Sequence, residues 1–129
     1  MIVLDSSATV EYVSLREHAD WVETVIEDDP DVHCPHLLDV EVASALRKLV
    51  GRGELRGADA RRALRDLAEL DIARYPHVGL LDRIWELRSA LTPYDAAYIA
   101  LAELLDATLV TTDARLAQSH GHRARILAP

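Results

Sequence analysis

What most constrains this chain is an alternation of two apolar patterns. Ile2-Val-Leu4, Val32-His-Cys34, Asp71 to Tyr75, Thr108 to Thr111 and Ala124 to Leu127 are short runs of strand length. Between them lie segments whose apolar residues recur three and four positions apart. These are Ser6 to Val13, Glu17 to Glu27, Leu37 to Val50, Ala58 to Leu70, Leu80 to Leu91, Thr92 to Leu105 and the short stretch Asp113 to Ser119. A period near 3.6 reads as helix and a short bounded run as strand. Pro35 and Pro76 close two of the strands, and Gly51 and Gly53 mark the end of a helix. Strands alternating with helices predict an α/β fold: a parallel sheet of about five strands with helices on both faces. The 129 residues show no internal repeat, low-complexity tract or linker, so residues 1–129 are expected to form a single domain.

Composition removes several function classes. Apolar residues make up 50% and charged residues 28%, the balance of a chain with a packed core. No apolar run nears the roughly 20 residues of a membrane-spanning helix, and no membrane association is expected. Met1-Ile-Val-Leu-Asp5 has neither the basic start nor the long apolar stretch of a signal peptide. The single cysteine, Cys34, forms no internal disulfide and fits a reducing cytoplasm, where it reads as a small buried hydrophobe. The six histidines lack metal-ligand spacing. No Gly-rich phosphate loop is present, and no Gly-x-Ser-x-Gly elbow makes Ser6 or Ser7 a nucleophile. The few aromatic residues offer no base-stacking platform. Tyr94, beside Asp95, reads as packing at a helix start, and Trp21 and Trp85 as core or interface anchors.

Charge is unevenly spread. The net charge is −8, which opposes simple coating of nucleic acid. Half of the 22 acids lie in residues 1–41, with one base, Arg16. Half of the 14 bases lie in residues 47–65: Arg47, Lys48, Arg52, Arg56, Arg61, Arg62 and Arg65. That window is either a solvated helical face or a phosphate-binding lip on an acidic protein.

In open parallel sheets, ligands bind outside the carboxyl ends of the strands. Four acids belong there. Asp5 ends the first strand, and Asp113 follows the strand at 108–111. Glu41 lies early in the helix after the second strand, at the border of its apolar stripe. Asp95 holds a border position on the helix that feeds the fourth strand. Crowded carboxylates raise one another's pKa values, and a divalent cation relieves that repulsion. Oxygen-only ligands suit Mg2+ or Mn2+, which support in-line displacement at phosphorus. Each acid also has a plain structural reading. Thr92-Pro-Tyr-Asp95 is a helix-start device, Asp5 and Asp113 can cap the helices after them, and Glu41 can be a solvated helix residue.

Four segments at these spacings carry a resemblance: Ile-Val-Leu-Asp5-Ser-Ser, Pro35-His-Leu-Leu-Asp-Val-Glu41-Val-Ala-Ser-Ala-Leu-Arg47, Leu91-Thr-Pro-Tyr-Asp95-Ala-Ala-Tyr-Ile-Ala-Leu-Ala102 and Leu109-Val-Thr-Thr-Asp113-Ala-Arg-Leu116. Over essentially its whole length the chain resembles the PIN-domain ribonucleases, most closely the VapC toxins of toxin–antitoxin pairs. The resemblance implies a three-layer α/β/α PIN-like domain. It implies that Asp5, Glu41, Asp95 and Asp113 are the catalytic and metal-binding acids, holding Mg2+ or Mn2+ to hydrolyse phosphodiesters of RNA. Ser6 and Thr112 match small hydroxyl positions beside the first and fourth acids, with supporting or substrate-contact roles. A cognate VapB antitoxin and a homodimer are implied partners. The basic residues Arg47, Lys48, Arg52, Arg61, Arg62 and Arg65 then become candidates to guide the RNA backbone.

Three other readings remain open on the sequence. A non-catalytic module of the same fold would bind RNA or protein only, yet none of the four acids is missing. A DNA nuclease or a phosphatase would use the same carboxylates. A phosphoacceptor signalling domain would want a lysine near its acidic pocket, and the only lysine is Lys48, in the middle of a helix.

Overall fold

The computed structural model describes residues 1–129. Five strands, β1 (Ile2–Leu4), β2 (Val32–Pro35), β3 (Ala73–Tyr75), β4 (Thr108–Val110) and β5 (Arg125–Leu127), form one sheet in the order β3-β2-β1-β4-β5. Every pairing is parallel, with Val3 opposite His33 on one side and Leu109 on the other. Seven helices complete the chain: α1 (Ser6–Val13), α2 (Ala19–Asp28), α3 (Leu37–Gly51), α4 (Gly57–Glu69), α5 (Leu81–Glu86), α6 (Pro93–Leu105) and α7 (Ala114–Ala117). No helix is long and apolar enough to cross a membrane.

Successive strand residues point to opposite faces, and here each face meets helices. Val3, Cys34 and Leu109 join the larger core cluster with Leu38, Val42 and Leu46 of α3, Leu67 of α4 and Ile99 and Leu101 of α6. Ile2, Leu4, Val32 and Val110 join a second cluster with Ala8 of α1 and Val22 of α2. The expected three α/β/α layers follow directly. Helix α6 is the central element, buried continuously from Ala96 to Ala102, and its alanines allow close packing beneath the sheet. Its start is the device read from the sequence: Thr92 caps the helix, accepting from the Asp95 N–H at 3.2 Å, with Pro93 at the first position.

Three expectations are corrected. The segment 80–91 is not one helix. A 3₁₀ turn at Val78–Leu80 leads into α5, which stops at Glu86, and Leu87 to Ala90 continue as turns. Pro93 disfavours helical geometry at Thr92, so the chain must unwind before α6. Tyr94 does not pack at the helix start, being 63% exposed. Of the two readings of Trp85 the core one is corrected, since it is 68% exposed with Arg88 lying 4.7 Å over its ring, while the interface one is untouched. Cys34 is free and fully buried, and burial pushes its thiol up to about 12, so it stays protonated.

Candidate active site at the switch point of the sheet

The chain builds outward from β1 through β2 to β3, then returns to the other side of β1 for β4 and β5. The crevice between β1 and β4 is therefore the topological switch point, where open α/β sheets bind ligands. Asp5 follows β1 there, and Thr111 to Asp113 follow β4.

Asp5 is only 3% exposed, and its carboxylate is held on both oxygens. The Ala8 N–H donates to Oδ1 at 2.9 Å, which caps α1. The Ser7 hydroxyl lies 2.8 Å from Oδ1 and 3.0 Å from Oδ2, and the Thr111 hydroxyl donates to Oδ2. Ser7 Oγ and Thr111 Oγ1 are 3.1 Å apart, and the N–H groups of Thr112 and Asp113 donate to them at 3.0 Å each. One hydroxyl pair thus ties the end of β1 to the turn after β4.

Asp113 caps α7 through Oδ1, which accepts from the Arg115 N–H at 2.8 Å. Arg115 Nη2 stands 3.6 Å from Asp113 Oδ2. Glu41 is half-buried on α3, and its Oε1 accepts from the Tyr98 hydroxyl at 2.6 Å. Asp95 is half-buried in the first turn of α6. The two border positions on α3 and α6 do aim inward. The structural readings of Asp5 and Asp113 as caps hold as well; each is a cap that also faces the crevice.

The four acids lie within one another's fields. Burial pushes the Asp5 carboxyl above its usual value, opposed by the Ala8 N–H and the two hydroxyls, with the charge of Asp113 adding to the rise. Burial likewise raises Glu41, against the Tyr98 hydrogen bond, and the charges of Asp95 and Asp5 raise it further. Burial raises Asp95 and so does Asp113, while the Thr92 hydroxyl and Arg115 pull the other way. Yet no three His, Cys, Asp or Glu side chains stand close enough to clasp one ion among them. Glu41 is committed to Tyr98 and Asp113 to the start of α7. An all-oxygen set with unrelieved negative charge fits a hard divalent cation that retains several waters and is held partly through them.

The comparisons with known proteins identify the family and the fold. The PIN domain profile matches residues 2–120. VapC ribonuclease Mb0985 of Mycobacterium bovis is 45% identical over 119 residues, covering 92% of this chain and 91% of that protein. Ribonuclease VapC12 of Mycobacterium tuberculosis is 40% identical over 126 residues, covering 98% and 97%. The chain belongs to the PIN-domain family, among the VapC ribonucleases. A crystal structure of VapBC2 from Rickettsia felis, bound to a DNA fragment from their promoter, matches with a TM-score of 0.72 at 14% identity. That alignment covers 99% of this chain and 98% of the other, and it shows the shared fold.

Within this PIN fold the hydroxyls in direct contact with Asp5 lie one residue from Ser6 and Thr112. Ser7 and Thr111, not Ser6 and Thr112, touch Asp5. Asp5 is the helix cap, and a cap carboxylate faces the residues two and three ahead, so Ser7 rather than Ser6 meets it. Thr111 still carries the inward alternation of β4, which turns Thr112 away. Ser6 and Thr112 instead line a neighbouring groove of about 450 Å³, together with Arg16, Lys48 and Arg52. The basic window divides accordingly. Lys48 and Arg52 reach the groove beside the site, whereas Arg61, Arg62 and Arg65 lie on the exposed face of α4. Arg62 is engaged there by Asp59 at 3.6 Å and Asp66 at 4.0 Å. Arg47 is exposed on α3. Tyr98 was legible only as part of an apolar stripe, and with Glu41 57 residues away in the chain nothing in its own helix gave a sign of that partner.

Proposed function

We propose that the chain is a metal-dependent endoribonuclease toxin that hydrolyses phosphodiester bonds of RNA at Asp5, Glu41, Asp95 and Asp113. The observation that carries this reading is the meeting of four mutually repelling carboxylates at the switch point of the sheet. Names of relatives at 40 and 45% identity support RNA as the substrate. Asp5 and Asp95 would hold Mg2+ or Mn2+ most directly, with Glu41 and Asp113 acting directly or through water. When bound, such a cation draws charge from the phosphodiester and stabilises both the attacking and the leaving oxygen.

The chain's own groups do the remaining work. The Ser7 and Thr111 hydroxyls and the Ala8 N–H hold the Asp5 carboxylate in one orientation before substrate arrives. Tyr98 fixes one oxygen of Glu41 and leaves Oε2 without a protein hydrogen bond, free to orient an attacking water. Asp113 spends Oδ1 on its cap and presents Oδ2 to the crevice. Lys48 and Arg52 attract the RNA backbone toward the acids, and the negative remainder of the surface limits binding elsewhere. The toxin–antitoxin relative supports a VapB-type antitoxin as partner. The homodimer is supported by Val78, Leu81 and Trp85, apolar side chains at helical spacing that are 69%, 52% and 68% exposed.

The test is cleavage of a mixed structured RNA pool by purified protein in Mg2+, with EDTA and Asp95→Asn preparations alongside. Cutting by the wild type alone, and only with metal, supports the reading. Equal cutting by Asp95→Asn refutes the site. A matched DNA pool in the same experiment separates the ribonuclease from a DNA nuclease.

A further inference from the structure

One recess beside the acids has no part in the reaction just described. It holds about 240 Å³ and opens where the approach to α6 meets α7. Asp95 forms part of its wall, so it is continuous with the carboxylate site. Leu91 and Leu116 give it apolar lining, and Arg115, Gln118 and His120 give it polar groups. The turn from Thr111 to Asp113 separates it from the basic groove: Thr112 lines the groove, and Arg115 lines the recess.

The chemistry of the lining is selective. The Arg115 side chain is 89% exposed and stands 3.6 Å from Asp113, too far for a hydrogen-bonded pair. It is a cation at the edge of two acids with its donors free for a phosphate oxygen. The side chains of Gln118 and His120 make no hydrogen bond within the protein, and between them they offer both donors and acceptors. The scaffold beneath them is fixed by contrast. The Ser119 hydroxyl donates to the Leu116 carbonyl at 2.6 Å and meets His122 Nε2 at 2.9 Å. Buried Glu103 accepts from the Arg123 N–H at 2.8 Å, pinning the chain just beyond. Donors and acceptors left unpaired on a fixed frame are available to a ligand.

Size narrows the occupant. The recess falls below the roughly 300 Å³ at which pockets begin to enclose a drug-sized molecule, so it suits one ring system. No aromatic side chain lines it, so recognition would run through hydrogen bonds to a base edge rather than through stacking. A strand whose backbone lies along Lys48 and Arg52 and crosses the acids brings its next nucleotide to this place.

We propose that the recess is a base-reading subsite for one unpaired nucleotide next to the scissile phosphate of single-stranded RNA. Gln118 and His120 read the base edge, and Arg115 holds the adjacent phosphate. The proposal rests on the ribonuclease reading for its substrate, and its test separates the two. Wild type, Gln118→Ala, His120→Ala and Arg115→Ala are incubated in Mg2+ with a library of single-stranded RNA carrying randomised positions, and the cut ends are sequenced. The wild type should favour one base at a position flanking the cut. Gln118→Ala or His120→Ala should shrink that preference by about 10-fold, whereas Arg115→Ala should slow all sequences alike. An unchanged preference in both the Gln118→Ala and His120→Ala variants, with folding verified by circular dichroism, overturns the proposal. A second arm measures binding of labelled oligo-A, oligo-C, oligo-G and oligo-U in EDTA by fluorescence anisotropy. A wild-type preference that Gln118→Ala erases supports the subsite even where nothing is cut. Equal binding of all four by the wild type overturns it. Variants that keep the RNA profile and lose only neutralisation by the antitoxin also overturn it, assigning the recess to a peptide side chain.

Discussion

Tyr98→Phe removes one oxygen from the centre of the protein and tests how Glu41 is held. Tyr98 is 1% exposed, so a phenylalanine ring fills the same volume with the same packing. What disappears is the hydrogen bond to Glu41 Oε1 at 2.6 Å, the length of a strong O–H···O⁻ contact. Burial and the facing Glu41 carboxylate push the phenol far above its ordinary value, so it remains a donor at any working pH. A hydrogen bond to a charged group contributes about 1.5–3 kcal/mol to stability. Glu41 is only half-buried, so water can replace the lost donor, and the low end applies. The thermal midpoint of the metal-free protein should therefore fall by ~5 °C, about 1–1.5 kcal/mol for a domain of this size. If the same contact aligns Glu41 for reaction, kcat should fall ~10-fold with little change in KM. Glu41→Gln keeps an acceptor for Tyr98 and removes the charge. The double variant should then lose less than the two single losses combined, because both weaken one interaction, Tyr98→Phe by removing its donor and Glu41→Gln by removing its charge. Calorimetry and single-turnover cleavage read the two quantities separately. A Tyr98→Phe protein with wild-type kcat and a midpoint within 1 °C would show that Glu41 needs no help from the phenol.

Three further outcomes follow from the charges. Asp5, Glu41 and Asp95 have raised carboxyl values in the folded state, so their ionisation works against folding. That penalty is absent below the unfolded values of 3.8 and 4.5 and grows as pH rises through the folded ones. Melting in EDTA should show a stability loss over that rise which Asp5→Asn reduces and added Mg2+ reverses; identical curves with and without Mg2+ would refute a cation site. Glu103 has the opposite sign. Its 4% exposed carboxylate accepts from Arg83 at 2.8 and 3.0 Å, and that pairing lowers its pKa, so its contribution holds above 4.5 and fades as pH falls through the lower folded value. Glu103→Ala should cost about 2 kcal/mol near neutral pH by leaving the Arg123 N–H and two Arg83 donors without acceptors while Glu86 keeps the third, measured by denaturant unfolding; a cost under 1 kcal/mol would refute it. Finally, Lys48→Glu with Arg52→Glu should lower the salt slope of RNA binding by about 1.4, some 0.7 for each lost phosphate contact. Arg61→Glu with Arg65→Glu, on the far face of α4, should change the slope less, and the reverse order would move the RNA track to α4.

The fold was legible because strand and helix periods differ and the punctuation was clear. Ile2-Val-Leu4 reads as a strand and shows both faces of the sheet at once, with Val3 in one core cluster and its neighbours in the other. Thr92 and Pro93 announced the start of α6 to the residue. The segment after Pro76 was less legible, because its apolar spacing continues through Leu87 and Leu91, although residues 87–90 fold as turns. In the site, border positions on two helices foretold the inward aim of Glu41 and Asp95. The hydroxyls that touch Asp5, Ser7 and Thr111, are the neighbours of the two that were read, Ser6 and Thr112, which line the groove alongside. A pattern of types along the chain does not say which of two adjacent hydroxyls a cap geometry selects. Tyr98 lay beyond sequence reasoning for a related reason: it acts through Glu41, a neighbour from a distant segment, and nothing in its own stretch names that neighbour.

The doubled roles of Asp5 and Asp113 explain how the fold carries its acids. A carboxylate used only for a cation would be a pure liability while the chain folds, since burial and like charges both oppose its ionisation. Asp5 meets that opposition with the Ala8 N–H and two hydroxyls, the donors that also begin α1 and join β1 to the turn after β4. Asp113 accepts from the first N–H groups of α7. The interactions that close the local structure thus stabilise the charge that the site needs. Glu41 and Asp95 lie one layer out, half-buried, where solvent shares that task. A substitution that keeps the cap but removes the charge, such as Asp5→Asn, should therefore leave the helix start in place and strip the field alone. Asp5→Ala should lose both. The difference in stability between these two variants measures the cap, about 1 kcal/mol, separately from the charge. Equal stability of the two would mean that the carboxylate's hydrogen bonds serve the site and contribute nothing to the fold.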